Sequence, residues 1–335
     1  MKRRQFNALT ASMLLAGGSV ASRSAFAARE RVQVQLDWLP GGDKSFVYAG
    51  VKQGFFAAEG LDVDIMPGRG SSNAVTKLAS GAADVGFAGI AALMQAATSD
   101  GNIPVKAVMS LYSKQPDALF TVKGSSIRSL KDVVGKTVAT ATFSSSNALW
   151  PLVLEKNGIK PSQVKLLKVD PSTLAPMLAQ GRVDATINWI TVEPGFRSVL
   201  QQAGKDLQVL MWSNFGLDGY GWSAMASEKM IKDRPDVLRR YMRALRKSLQ
   251  FAMANPDQSA ADLKSFVPET DPAVAAAEFR SSMPLIVNDI SRRDGLGKFE
   301  PKLLDATWKW VAESINVDPK KLDPESLIDP RFLPA

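Results

Sequence analysis

Three short apolar segments between residues 32 and 87 alternate with two segments of helical spacing, and this order constrains the fold most. The apolar segments cover residues 32–36, 61–65 and 84–87, and the first alternates between apolar and polar positions, as a strand does. The order strand, helix, strand, helix, strand predicts a parallel sheet with helices on its faces. Because such sheets bind ligands beyond the carboxyl ends of their strands, we expect a ligand site where these segments end.

A second, looser copy of this pattern follows later in the chain. Gly60 and Gly81 each stand where a predicted helix ends before the next strand, and Gly158 and Gly181 occupy the corresponding points of the copy. Glycine is common there because the residue that ends a helix often takes a positive φ. The sequence therefore predicts two similar α/β units.

Several motifs in these units resemble a known family. They are L-D-W-L-P at 36–40, G-F-F-A-A-E-G-L-D-V at 54–63 and L-A-S-G-A-A-D-V-G at 78–86, and the likeness continues at 130–139, 233–257 and 329–334. The chain resembles periplasmic substrate-binding proteins of ABC importers, in the branch that binds sulfonates, taurine and the pyrimidine precursor of thiamine. The motifs are mostly scaffold, so they are specific for the family and unspecific for the ligand.

The resemblance and the repeat together predict an α/β, two-lobed periplasmic-binding-protein fold of type II. Each lobe is expected to be a mostly parallel sheet flanked by helices, and a two-strand hinge joins the lobes. Strand-like runs at 118–122 and 207–212 mark the crossings, so we assign residues 28–122 and 213–335 to lobe one and residues 123–212 to lobe two. Helical segments after residue 235 are expected to pack on lobe one.

The first 27 residues have the features of an export signal. A basic start precedes a short apolar stretch at 11–20, and a small-x-small cleavage site ends at Ala27. The run R-R-Q-F at 3–6 resembles the twin-arginine pattern, but Asn7 and Ala8 stand where that pattern usually has Leu and Lys, so the general secretion route stays open. No later stretch approaches the roughly 20 apolar residues that a membrane span needs. We expect a periplasmic protein, cleaved after Ala27.

The sequence contains neither cysteine nor histidine, and this excludes much chemistry. Disulfides, thiol nucleophiles, a lipid-anchoring cysteine, histidine-containing zinc sites, Ser-His-Asp triads and histidine general bases are all ruled out. The formal net charge of +8 includes four basic residues of the signal, which leaves +4 for the chain from Ala28, too little to indicate nucleic-acid binding. We expect no metal and no cofactor, because the predicted strand ends lack clustered carboxylates.

Two serine-rich turns stand at the starts of predicted helices, at the same point of each lobe. Helix N-termini present free backbone N–H groups and the positive end of the helix dipole, so such turns can hold a carboxylate or sulfonate. The alternative, equally open from the sequence, is that these residues only cap their helices. The candidate ligand contacts in these turns are Ser71, Ser72, Ser144, Ser145, Ser146 and Asn147.

Aromatic and polar residues also gather at the predicted strand ends. Trp38 and Trp189 directly follow Asp37 and Asn188 in strand-to-helix loops, where a large apolar side chain is costly to expose unless it packs against something. A flat ligand ring stacked between the lobes would cover both. The remaining candidates after the first strand are Asp43 and Tyr48.

Glu193 is the acid to which the family resemblance points. Its segment is similar to the place where pyrimidine-binding relatives set a carboxylate against the amino group of the ring. A carboxylate that accepts two N–H bonds selects an amidine-like edge. Glu-Pro is also an ordinary helix start, where the helix dipole favours an acid, so both interpretations remain open.

The leading functional prediction is a non-catalytic periplasmic receptor. It captures a small organic molecule, either a pyrimidine-like heterocycle or an organic sulfonate or carboxylate, and delivers it to the transmembrane subunits of an ABC permease. The alternative is a ligand-sensing module for a membrane receptor. A pyrimidine-synthesis enzyme of the same fold would need a histidine and a cysteine-rich motif that this chain lacks. We expect a monomer that makes no stable membrane insertion and binds no nucleic acid.

Overall fold

The computed structural model describes residues 29–100 and 103–334. The predicted export signal and its cleavage site lie outside these residues. The strands in the described part of the chain are β1 (Glu30–Gln35), β2 (Leu61–Met66), β3 (Val85–Gly89), β4 (Val105–Ser110), β5 (Asp117–Val122), β6 (Thr137–Ala141), β7 (Lys165–Val169), β8 (Ala185–Trp189), β9 (Leu207–Met211) and β10 (Trp222–Ser227).

The α-helices follow the strands at the predicted places, and a helical tail ends the chain. They are α1 (Ser45–Lys52), α2 (Phe55–Ala58), α3 (Ser71–Ala79), α4 (Ile90–Asp100), α5 (Trp150–Lys156), α6 (Leu174–Ala179), α7 (Glu193–Gln202), α8 (Glu228–Asp233), α9 (Pro235–Ala254), α10 (Pro256–Lys264), α11 (Pro272–Ile286), α12 (Asp289–Asp294) and α13 (Pro301–Ser314). None of these helices is long and apolar enough to cross a membrane.

The strands form two sheets of the same topology. One has the order β2-β1-β3-β10-β4 and the other β7-β6-β8-β5-β9. In each sheet the first three strands are parallel, the fourth is antiparallel to both of its neighbours, and the fifth therefore runs with the first three. Four strands of five share one direction, which confirms the predicted fold class: two mixed, mostly parallel sheets flanked by helices.

The internal repeat has a local structural basis in the glycines that end its helices. Gly60 and Gly81 in the first unit have φ values of 71° and 74°, and Gly158 and Gly181 in the second have 75° and 70°. A side chain with a Cβ is disfavoured in this left-handed region, so glycine ends each helix where the chain turns into the next strand.

Strand β5 is where the predicted lobe boundary and the observed pairing differ. The sequence analysis ends the first part of lobe one at residue 122, but β5 bonds to β8 and β9 in the second sheet, with Phe120 opposite Thr186 and Val209. The chain therefore crosses between the sheets earlier, through residues 111–116, and returns through residues 212–221. Neither crossing is itself a strand. The apolar run at 118–122 indicates a strand but carries no signal for its partner.

Three apolar clusters hold the molecule together, and they correct the expectation that the tail packs on lobe one alone. One lies between the first sheet and α1, α9, α10 and α11, a second lies under α6 and α7 of the second sheet, and a third includes residues of both sheets. Helix α13 packs against α4 and α5, and α11 packs against α7. Two helices of the tail therefore contact the second sheet's helices.

Candidate ligand-binding site

A closed cavity lies where the carboxyl ends of strands from both sheets meet. Its volume is about 20 Å³, room for roughly one water. A larger ligand would need the walls to separate. The cavity is lined by Asp37, Trp38, Asp43, Lys44, Ser71, Ser144, Ser145, Asn188, Trp189, Thr191 and Val192.

Eight of the residues proposed from the sequence line this cavity together. The strands explain why: the lining residues lie at the carboxyl ends of β1 and β2 of the first sheet and of β6 and β8 of the second, or in the segments that directly follow them. The eight are Asp37, Trp38, Asp43, Ser71, Ser144, Ser145, Asn188 and Trp189.

Three candidates of the serine turns lie outside the lining because their side chains have protein partners. The hydroxyl of Ser72 donates to the carbonyl of Phe143 at 3.0 Å. The Ser146 hydroxyl donates to the buried carboxylate of Asp117. Asn147 bonds to the Thr140 hydroxyl and to backbone carbonyls.

Tyr48 and Glu193 also lie outside the lining. Tyr48 is buried against the ring of Phe266, with ring centroids 5.6 Å apart. Glu193 is the first residue of α7 and pairs with Arg197 one turn later, with 2.6 Å between the Glu193 Oε1 and Arg197 Nε atoms. Tyr48 therefore packs in the core, and the position of Glu193 agrees with the helix-start interpretation.

Ser71 does more than begin a helix. Its hydroxyl accepts from the Gly89 N–H at 2.9 Å and lies 3.4 Å from Asp37 Oδ2, which joins the ends of β1 and β3. Ser144, by contrast, caps its turn in the expected way, because its hydroxyl accepts from the Ser146 N–H. Capping and cavity lining therefore coincide at Ser144, and the two interpretations left open by the sequence are not exclusive.

The sequence analysis missed Lys44, which is almost fully buried at 1% exposure. Its ammonium lies 2.7 Å from Asp43 Oδ2, 3.8 Å from Asp37 Oδ1 and 5.1 Å above the Trp222 ring. Asp43 Oδ2 also accepts from the Thr191 hydroxyl of the second lobe, at 2.9 Å. A lysine after Asp43 in a glycine-rich loop usually indicates a solvated turn, so only the fold could reveal this charge network.

Burial dominates the electrostatics of the site. It raises the pKa of Asp37 to about 6, against the opposing effect of the Lys44 charge. It raises the pKa of Asp117 to about 7 although the Ser146 and Trp189 side chains hydrogen-bond to that carboxyl. Burial lowers the pKa of Lys44, but the carboxylates of Asp43 and Asp37 outweigh it and the net change is upward. Lys44 therefore stays charged, whereas Asp37 and Asp117 take up a proton more readily than an exposed aspartate does.

Three residues of the lining have a buried oxygen atom without a hydrogen-bond partner among the described residues, namely Asp37 Oδ1, which lies 3.8 Å from the Lys44 ammonium, Asp43 Oδ1 and Asn188 Oδ1. An unpaired buried acceptor is costly, so acceptors of this kind favour a molecule that brings N–H or O–H donors. The cavity offers a single cation, Lys44, and that cation is already held by two carboxylates. The chemistry of the lining therefore suits a hydrogen-bond donor better than an anion.

Trp38 and Trp189 both line the cavity, and each packs against the opposite lobe. Trp38, after β1, lies against the apolar cluster of the second sheet, and Trp189, at the end of β8, lies against that of the first. The rings of Trp189 and Tyr112 are 6.0 Å apart in an edge-to-face arrangement. Flat aromatic walls of this kind suit a planar ligand.

Comparison with known proteins gives a consistent family. The family described as NMT1/THI5 like matches residues 43–259. A formylaminopyrimidine-binding protein of Halalkalibacterium halodurans is 28% identical over 253 residues, 75% of each chain. The riboflavin-binding protein RibY of Chloroflexus aurantiacus is 25% identical over 295 residues, 84% of this chain and 80% of its own.

A solved structure supports the same fold. The alkanesulfonate-binding protein SsuA of Xanthomonas axonopodis pv. citri, bound to MOPS, superposes with a TM-score of 0.69 over 90% of this chain and 98% of its own. At 16% identity this likeness concerns the fold alone. All three of these similar proteins carry the name of a binding protein.

Proposed function

This chain belongs to the NMT1/THI5-like family, and from that premise we propose that it is the solute-binding receptor of an ABC importer. The receptor captures a small organic molecule between its two lobes, in the periplasm, and presents it to the transmembrane subunits of the permease. The two sheets with two crossings support a hinged closure, because two connections let the lobes rotate while the chain stays intact.

The ligand that the site supports best is a planar heterocycle with N–H donors, of the aminopyrimidine type. The observation that carries this choice is that three residues lining the cavity together with Trp38 and Trp189 have a buried oxygen atom without a hydrogen-bond partner among the described residues, namely Asp37 Oδ1, Asp43 Oδ1 and Asn188 Oδ1. An amino group beside a ring nitrogen would donate to these oxygens while the ring lies between the tryptophans. The formylaminopyrimidine-binding relative supports this ligand class.

An organic sulfonate is the weaker candidate. A sulfonate offers only acceptors and a negative charge, and it would face the carboxylates of Asp37 and Asp43 with Lys44 already paired. Like charges in a buried site repel strongly because the local dielectric constant is low. A catalytic role is disfavoured as well, since the chain has no histidine or cysteine and its named relatives are binding proteins.

Thermal unfolding of the mature chain, refolded to remove carried-over ligand, tests this proposal. We expect 4-aminopyrimidine to raise the midpoint more than pyrimidine, with taurine and MOPS giving no shift. Ligand at 100 times its dissociation constant adds about 2.7 kcal/mol, and each kcal/mol moves the midpoint of a chain this size by roughly 2 to 4 °C. Riboflavin, the ligand named for the second relative, belongs in the same panel.

The outcomes separate the two levels of the proposal. A shift with sulfonates alone would keep the receptor function and overturn the ligand class. No shift with any heterocycle, sulfonate, aromatic acid or amino acid, in a protein with a normal cooperative transition, would count against small-molecule capture itself.

A further inference from the structure

A buried carboxylate outside the ligand cavity joins the two lobes. Glu278 of α11 is 9% exposed, and its Oε2 accepts from the Gly42 N–H of the first lobe at 2.7 Å. Its Oε1 lies against Gly195 in the first turn of α7. Burial raises the pKa of Glu278 to about 7, and hydrogen bonds from the N–H groups of Gly42 and Gly195 act against that rise. One side chain therefore has a backbone donor from each lobe.

The close approach at this junction requires glycine on both sides. A Cβ on Gly42 would lie 1.8 Å from the carbonyl oxygen of Ala275, and a Cβ on Gly195 would lie 2.7 Å from Glu278 Oε1. The Gly42 contact is with the backbone of α11, so the helix itself would have to move, whereas at Gly195 only the carboxylate of Glu278 would be displaced. The two glycines let α11 come close enough for Glu278 to contact both backbones.

The two partners of Glu278 belong to separate packing units. Helix α11 is fixed in the first lobe, because Ala276, Phe279 and Ile286 are part of that lobe's apolar cluster. Helix α7 is fixed in the second lobe through Phe196 and Leu200. Any rotation that separates the lobes pulls the first turn of α7 away from the carboxylate.

We propose that Glu278 is a positioning residue that holds the lobes closed by binding the N-terminal turn of α7, without touching the ligand. The first turn of a helix has free N–H groups and a partial positive charge, so a carboxylate there gains both a hydrogen bond and a favourable dipole interaction. This proposal rests on the receptor function proposed above, because it assigns Glu278 to the closing step. We call this contact between Glu278 and the first turn of α7 the latch, and we expect it to set how long the cleft stays closed.

The test measures the distance between the lobes without any ligand. Since the natural sequence has no cysteine, cysteines placed at the exposed positions Ser80 and Gln180 carry the only two spin labels. Glu278→Gln keeps one acceptor but turns an amide N–H₂ toward a backbone N–H, donor against donor. We expect its inter-label distances to shift to longer values, with a midpoint of thermal unfolding close to that of the parent protein.

Two further variants make the result decisive. Glu269 is an exposed acid in the surface groove that Gly42, Gly195 and Glu278 also line. Glu269→Gln neutralises it and should leave the inter-label distances unchanged. Gly195→Ala pushes on the carboxylate from the second lobe and should lengthen the distances as Glu278→Gln does, which keeps the test open if Glu278→Gln does not fold. Coinciding distributions for the parent protein and a folded latch variant would overturn the proposal.

A ligand readout adds the kinetic consequence. With 4-aminopyrimidine as probe, the dissociation rate of Glu278→Gln should rise roughly ten-fold or more, as expected for a lost bond to a charged group. An unchanged rate in a variant whose probe still binds would contradict the latch. If the probe does not bind the parent protein, the distance measurement still decides, so failure of the receptor proposal and failure of the latch remain distinguishable.

Discussion

The two walls of the cleft have the same architecture, but only the first contributes charged side chains to the lining. The first lobe brings Asp37, Asp43 and Lys44, all buried and charged or titratable, to the end of its sheet. At the same end of an equivalent sheet, the second lobe brings hydroxyls, an amide and an indole, with Ser145 and Asn188 among them. The repeated scaffold therefore fixes where side chains meet, and the loops decide what they can bind.

The difference assigns separate tasks to the two lobes. Charge in the first lobe supplies strong, directional acceptors, while the neutral wall of the second lobe can approach without repulsion. The bond from Thr191 to Asp43 shows this fit directly, since a neutral hydroxyl of one lobe donates to a carboxylate of the other at 2.9 Å. A second charged wall would make closure depend on the ligand's own charge.

The largest expected effect comes from removal of Lys44, the cation of the cavity lining. Lys44→Met leaves the carboxylates of Asp43 and Asp37 buried without a counter-charge, and breaking a buried pair typically costs about 3–5 kcal/mol. Urea unfolding at pH 8, above the pKa of about 6 of Asp37, should show this loss. Lys52→Met, at the exposed end of the next helix, is the matched control and should stay within about 0.5 kcal/mol. A loss below 1 kcal/mol for Lys44→Met would mean that the charged wall does not depend on Lys44.

The second lobe also contains a buried acid, Asp117, behind its cavity lining, and its protonation state tests whether this lobe is neutral there too. Its pKa is raised from 3.8 to about 7, so the folded protein holds a proton that the unfolded chain releases between about pH 4 and pH 7. The stability contributed by this protonation is present below pH 4 and is lost as the pH rises toward 7. The Asp117→Asn variant cannot titrate at this position. As the pH rises through this range, the unfolding free energy of the parent protein should therefore fall relative to that of the variant, by roughly 1.4 kcal/mol for each unit by which the pKa of Asp117 differs between the folded and unfolded states.

Urea titrations at pH 4, 5, 6 and 7 measure this slope, and an exposed acid gives a control of opposite sign. The pKa of Asp132 is lowered, chiefly by the backbone N–H groups of Arg128 and Ser129. Its contribution to stability is present above about pH 4 and is lost as the pH falls, so the Asp132→Asn curve should run parallel to that of the parent protein at pH 5 to 7 and approach it at the acid end. Parallel curves for Asp117→Asn and the parent protein would mean that folding does not raise the pKa of Asp117.

Sequence alone predicted the scaffold better than the chemistry, and particular residues show why. Alternating strands and helix-ending glycines such as Gly60 and Gly181 are local signals, so they predict elements and repeat correctly. The partner of β5, the burial of Lys44 and the contact of Glu278 with Gly42 join residues far apart in the chain. No local pattern encodes such contacts. The sequence therefore indicates where the strands end and which residues gather there, but it does not indicate the charge network around Lys44.

A middle-sized effect is expected from the first wall's own acceptor. Asp37→Asn removes a charge and one acceptor from the cavity, and bonds to charged groups are worth about 1.5–3 kcal/mol. Affinity for 4-aminopyrimidine, measured by isothermal titration calorimetry, should fall by roughly 10- to 100-fold. Asp62→Asn, an exposed acid of β2 in the same lobe, should leave the affinity unchanged. Equal losses in both variants would indicate a long-range charge effect rather than contact at Asp37.

The smallest effect is expected from the neutral wall, and it measures the asymmetry between the lobes. Ser145 lines the cavity, and its hydroxyl lies so near Gly89 that a Cβ on that glycine would be 2.5 Å from it. A hydrogen bond between neutral groups is worth only about 0.5–1.5 kcal/mol, so Ser145→Ala should weaken 4-aminopyrimidine by roughly 2- to 10-fold in the same calorimetric assay. Ser172→Ala, exposed in the same lobe, is the control that should change nothing. If Ser145→Ala lowers the affinity as much as Asp37→Asn does, the two walls contribute equally to the binding free energy. The charged residues of the first lobe would then serve folding and closure rather than ligand selectivity.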